Sequence, residues 1–139
     1  MNLLSGISLV AVLRAIAARV LLDPSTSPGR PHAQFVALPG EADLDEWFAR
    51  SMLQPIVLFL HDPGCPISAA AHRQVAKLEG EIGLIDVRGG RSLSHAVETR
   101  TGVRHESPQV IVLRNGQASW SASHFAITAD AVNAARREV

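Results

Sequence analysis

Cys65 is the only cysteine among 139 residues, and so the only thiol nucleophile the chain has. It stands in the run His61-Asp62-Pro63-Gly64-Cys65-Pro66-Ile67-Ser68. Directly before that run lies Ile56-Val57-Leu58-Phe59-Leu60, an unbroken apolar stretch that suits a strand buried on both faces. Open α/β sheets gather ligands and reactive groups beyond the carboxyl ends of such strands. Pro66 suits the first position of a helix, because its missing N–H would go unpaired there anyway. Cys65 is therefore expected at a helix N-terminus, where free N–H groups and the helix dipole favour negative charge. A thiolate is the form that attacks disulfides. A lone cysteine is more often a small core hydrophobe, but its place between strand end and helix start favours the reactive reading.

Ser68 occupies the position where a dithiol oxidoreductase carries its second cysteine. A mixed disulfide at Cys65 then cannot be resolved within the chain, and a second thiol must do it. The Ser68 hydroxyl either donates a hydrogen bond to the Cys65 thiolate or serves ordinary first-turn helix chemistry. One cysteine excludes an internal disulfide framework and a multi-cysteine zinc site, and it fits a reducing, cytoplasmic compartment. His32, His61, His72, His95, His105 and His124 lack paired ligand spacing, so no metal site is expected. His61 and His124 are placed to lie near the cysteine, each with a structural hydrogen-bonding role preferred over chemistry. Thirteen basic residues balance thirteen acidic ones. No field for phosphate arises, and nucleic acid is not an expected partner.

The elements that must position Cys65 follow from the apolar pattern. Residues 1–33 read as an apolar helix, added to the domain or set against a membrane surface or a partner, followed by a Pro- and Ser-rich linker, or as a start assigned too early. Arg14 and Arg19 argue against a signal peptide and a membrane span. Residues 34–139 read as one domain. In it, Gln34 to Leu38 is an edge strand, and Asp43 with Glu46 opens a helix burying Leu44, Trp47, Phe48 and Met52. After the Cys65 loop, Ala71, Val75, Leu78 and Ile82 fall on one helix face until Gly83 breaks it. Leu84-Ile85-Asp86-Val87 is a second buried strand. A helix with Leu93, Ala96 and Val97 inward ends at Gly102. Val110 to Leu113 is the third apolar strand, and Asn115-Gly116 turns it into an antiparallel partner over 117–121. Thr128 caps the last helix, with Ile127 and Val132 as a hydrophobic staple. Alternating strand and helix asks for parallel pairing by right-handed crossovers, with the hairpin as an antiparallel edge. The predicted fold is α/β, a single thioredoxin-like domain: a mixed central sheet with helices on both faces. Trp47 and Trp120 read as packing residues.

Three stretches carry a resemblance: Cys65-Pro66-Ile67-Ser68, then Thr101-Gly102-Val103-Arg104-His105-Glu106-Ser107-Pro108-Gln109-Val110, then Ser123-His124-Phe125-Ala126-Ile127-Thr128. In order and spacing they resemble the YtxJ family of monothiol bacilliredoxins over roughly residues 34–137. The resemblance implies a thioredoxin fold and removal of bacillithiol from proteins that carry it as a mixed disulfide. It implies Cys65 as the catalytic residue, with Pro66, Ser68, Ser107, Pro108 and His124 binding substrate. It also implies a cis Ser107–Pro108 bond facing the cysteine, with the Ser107 backbone free to pair with a substrate chain. Partners would be S-thiolated proteins and a low-molecular-weight thiol, bacillithiol or another, as co-substrate, with no tightly bound cofactor. An arginine such as Arg73 or Arg104 could meet the malate carboxylates of bacillithiol. The chain departs from the pattern at two places. Gly64 stands where a small polar or basic residue is expected, and Phe125 where tryptophan is expected. Two readings of other classes stay open: a redox sensor or iron–sulfur carrier, and a thioredoxin-fold interaction protein without turnover.

Overall fold

The computed structural model describes residues 32–89 and 91–138, so the expected N-terminal helix lies outside the described residues. The elements run β1 (Ala33–Ala37), α1 (Glu41–Arg50), β2 (Ile56–His61), α2 (Pro66–Val75), β3 (Gly80–Asp86), α3 (Arg91–Thr101), β4 (Gln109–Arg114), β5 (Gln117–Ser123) and α4 (Ala129–Arg137). Short 3₁₀ turns at Val87–Gly89 and His124–Ala126 follow β3 and β5. The five strands lie in the order β1-β3-β2-β4-β5, which puts the most apolar strand, β2, at the centre. Its side chains alternate between two cores. Leu58 and Leu60 meet Leu44, Trp47 and Phe48 of α1 and Leu93 and Val97 of α3 on one face. Val57 and Phe59 meet Ala71 and Val75 of α2 and Val132 and Ala135 of α4 on the other. Helices therefore cover both faces, as the buried apolar run requires.

β2 pairs in parallel with β3, aligning His61 with Asp86, so both strands end at the same edge. β4 departs from the alternation rule and pairs antiparallel with β2, Gln109 opposite Leu60. The segment after α3 returns the chain to the carboxyl end of β2, and a strand that starts there must run back. The same geometry brings Ser107-Pro108, just ahead of Gln109, to the edge from which the Cys65 loop departs.

Several local expectations shift. α1 starts earlier than predicted: Gly40 is the N-cap, and Asp43 accepts a hydrogen bond from the Gly40 N–H at 3.2 Å as the third helical residue. Met52 falls past the helix end and is 60% exposed rather than inward. α2 stops at Val75, and Ile82 belongs to β3. Ala71, Val75, Leu78 and Ile82 do share one core, but helix, turn and strand each supply part of it. Gly83 lies inside β3 and ends nothing. A Cβ there would stand 2.9 Å from Trp47 Cε3 and 3.0 Å from Leu38 Cδ1 and Leu58 Cδ2, so the glycine lets the indole lie against the strand.

Candidate active site

The site is built on the turn that joins β2 to α2. Cys65 is extended (φ −100°, ψ 126°) and is the N-cap of α2, with Pro66 opening the helix. The residue is half-buried. Four short-range bonds hold the turn. The Gly64 N–H donates to Asp62 Oδ1 at 2.8 Å. The Cys65 N–H donates to the Asp62 carbonyl at 3.1 Å, and the Ala69 N–H to the Cys65 carbonyl at 3.0 Å. The Asp62 N–H donates to Ser68 Oγ at 3.2 Å. Ser68 is fully buried. Its hydroxyl thus fastens the loop ahead of the cysteine as an acceptor, a role between the two read from sequence, and its own proton remains to be donated.

A second layer comes from β3. Arg88 sits in the turn after β3, with Nε 3.7 Å from Asp62 Oδ1 and Nη2 3.4 Å from Asp86 Oδ2. Its main-chain N–H also donates to Asp86 Oδ1 at 2.9 Å. That bond, then the guanidinium bond, holds the Asp86 carboxyl below the usual carboxylate range. Arg88 Nη1 lies 3.8 Å from where a Cβ on Gly64 would stand, and Asp62 Oδ1 lies 3.3 Å from it. Gly64 therefore keeps the guanidinium uncovered beside the cysteine turn.

The third layer is the chain on either side of β4 and β5. Ser107–Pro108 is cis. Pro108 is buried, and Ser107 Oγ is buried without a hydrogen-bond partner among the described residues. Gln109 Nε2 donates to the Arg104 carbonyl at 2.9 Å, and the His105 N–H to Glu98 Oε2 at 2.6 Å, tying this loop to α3. The His124 N–H donates to the Pro108 carbonyl at 3.1 Å. His124 itself has φ 53°, the left-handed region, and opens a 3₁₀ turn that packs against α2. Phe125 on that turn is 78% exposed.

Cys65, Ser107 and Pro108 in loops, Pro66 and Ser68 in the first turn of α2, and His124 in the 3₁₀ turn after β5 thus all lie at one edge of the sheet. Arg73 and Arg104 are exposed, with no hydrogen bond or ion pair from either guanidinium among the described residues. Sequence reading passed over Asp62, Arg88 and His72. Asp62 and Arg88 had a usable signal, since each follows a buried strand and parallel neighbours end at the same edge. His61 and His72 form a pair behind the cysteine turn, their ring centroids 5.2 Å apart. Burial first, then the neighbouring His72, holds the His61 imidazole below its usual range, while Asp86 and Asp62 pull it up and Arg88 pushes it down. No helix among the described residues is long and apolar enough to cross a membrane.

Residues 37–132 match the family model described as monothiol bacilliredoxin BrxC. Among solved structures, one named as a candidate oxidoreductase with a thioredoxin fold is similar at 26% identity and a TM-score of 0.65, covering 73% of this chain and 92% of that one. The Nicotiana alata thioredoxin NaTrxh is similar at 15% identity and a TM-score of 0.58, over 81% of this chain and 99% of that one. Malassezia sympodialis thioredoxin gives 12% identity and a TM-score of 0.56, over 79% and 94%. The last two bear on the fold alone, which is the thioredoxin fold.

Proposed function

Since the chain belongs to the monothiol bacilliredoxin family, with the thiol redox function that membership and fold support, we propose that it removes bacillithiol from proteins held as mixed disulfides, with Cys65 as nucleophile. The observation that carries this reading is the position of Cys65 as N-cap of α2, with Pro66 behind it and Ser68 in place of a second thiol. In the first step the Cys65 thiolate attacks the bacillithiol sulfur of the substrate disulfide. A Cys65–bacillithiol disulfide forms, and the protein thiolate leaves and takes up a proton. In the second step a free bacillithiol thiolate attacks the bacillithiol sulfur of that adduct. Bacillithiol disulfide forms and Cys65 leaves as thiolate. Both steps pass negative charge through the sulfur, and the N–H groups of the first turn of α2 favour it there. On this reading the Ser107 backbone serves as an edge for the substrate chain, and Pro66, Ser68, Pro108 and His124 bind substrate around the exchange site.

Mass spectrometry after mixing the protein with bacillithiol disulfide, and separately with glutathione disulfide, tests the assignment. The expected result is a rapid adduct at Cys65 from bacillithiol, a slower one from glutathione, and none in Cys65→Ser. Equal adducts from both would reduce the reading to a general monothiol exchange protein. No adduct at neutral pH would overturn it.

A further inference from the structure

Four rings pack into one cluster beside the strand-to-helix junction that holds the cysteine turn, and the exchange chemistry uses none of them. His72 of α2 stacks on Phe35 of β1, with centroids 4.4 Å apart and planes at 22°. His61 at the end of β2 lies 5.2 Å from His72 and 5.2 Å from Phe59. The run therefore joins the edge strand, the helix that carries Cys65 at its N-cap, and the strand that feeds the loop. His61 Nδ1 is buried and meets no hydrogen-bond partner among the described residues. A neutral imidazole can leave that nitrogen as a bare acceptor, whereas an imidazolium would bury both a donor and a charge. From its surroundings His61 faces Asp62 of its own loop, Asp86 of β3, Arg88 of the turn after β3 and His72 of α2. His72 faces Phe35, Phe59 and His61, and makes no ion pair among the described residues.

We propose that His61 and His72 are positioning residues for Cys65: their packed rings seat α2 and its cysteine turn on the sheet, and protonation of His61 in mildly acidic solution unseats that turn and slows thiol exchange. The two carboxylates beside His61 oppose this only in part, because Arg88 is paired with both of them. Placement fits the role. His72 lies two turns along α2 from Cys65, and His61 immediately precedes the loop whose Asp62 anchors Gly64, Cys65 and Ser68. A change in the ring stack reaches the sulfur through those bonds. The inference rests on Cys65 as the exchanging thiol, and its test avoids bacillithiol so that the two can fail separately.

Cys65 alkylation by iodoacetamide is followed by mass spectrometry at about pH 7.5 and 5.5 in the full chain and in His61→Phe. The variant keeps a ring against Phe59 and His72 but cannot take a proton at position 61. The ratio of variant to wild-type rate cancels the pH dependence that does not involve His61. That ratio should rise about three- to tenfold on going to the lower pH, across the range where imidazoles charge. A ratio that stays constant would overturn the proposal. His61→Gln, neutral and polar, should give the same rise and covers the case in which the phenylalanine variant does not fold. Proton NMR supplies the second readout: the His61 titration midpoint should move upward in His72→Phe. An unmoved midpoint would show that the two rings are not coupled and would end the idea.

Discussion

At the scale of single residues, the proposed chemistry turns on Ser68 standing where a dithiol protein carries its second cysteine. Ser68 is fully buried and its Oγ accepts from the Asp62 N–H, so its position is built to hold a small polar atom rather than to meet solvent. Cysteine is nearly the same size, and its sulfur is a weak acceptor. Ser68→Cys should therefore fold and gain an internal resolving thiol. After reaction with bacillithiol disulfide, the variant should release bacillithiol from Cys65 without added thiol and end lighter than its reduced form by the two hydrogens lost on forming an internal disulfide. Wild type should keep its adduct until bacillithiol is supplied. Intact-mass spectrometry distinguishes the two, and a stable adduct in the variant would mean that position 68 does not reach the Cys65 sulfur. Arg88 makes a different point at this scale. It is exposed, and exposed ion pairs contribute only about 0–1 kcal/mol each. Its place is better explained by what it organises, the Asp62 carboxylate that fixes Gly64.

At the scale of elements, most of the fold could be read because its signals are local. Asn115 and Gly116 take φ of 53° and 74°, as the two-residue hairpin turn requires. Thr128 accepts from the Ala131 N–H, and Ile127 and Val132 close beside it in the core. What misled was periodicity carried across a junction. Leu78 and Ile82 continue the helical spacing of Ala71 and Val75 because all four pack into one core, although the helix has already ended. The direction of β4 was also illegible, since it depends on where the loop after α3 returns the chain and not on the apolar pattern of the strand. Gly83 shows the same limit: in sequence it looks like a breaker, while in space it is the floor under Trp47. Gly83→Ala should therefore destabilise the protein by about 1–3 kcal/mol through overpacking, read as a lower urea midpoint at unchanged slope. A substitution within 0.5 kcal/mol of wild type would mean that Trp47 can move aside at little cost.

At the scale of the whole molecule, reactive and titrating groups gather at one edge of the sheet, and stability should depend on pH because of it. The place of Cys65 at the helix N-cap was legible in sequence, since strand end, cysteine and proline are contiguous. The pairings of Asp86 and His72 were not, because they depend on the pairing of β3 with β2 and the packing of α2. His61 has a folded value below its ordinary 6.5. Its contribution is complete above about pH 6.5 and is lost as pH falls from there through the lower folded value, because the unfolded chain takes up the proton first. Asp86 is also lowered, from an ordinary 3.8. Its contribution persists at neutral pH and is lost only in stronger acid, as pH falls through its folded value. Two separate declines should follow in urea-unfolding free energy measured across pH, the first beginning near pH 6.5 and the second below about pH 4. His61→Gln should remove the first decline and leave the second. A wild-type curve flat from neutrality down to about pH 4.5 would mean that His61 takes its proton as easily folded as unfolded, and the edge would then owe nothing to the neutrality of that ring.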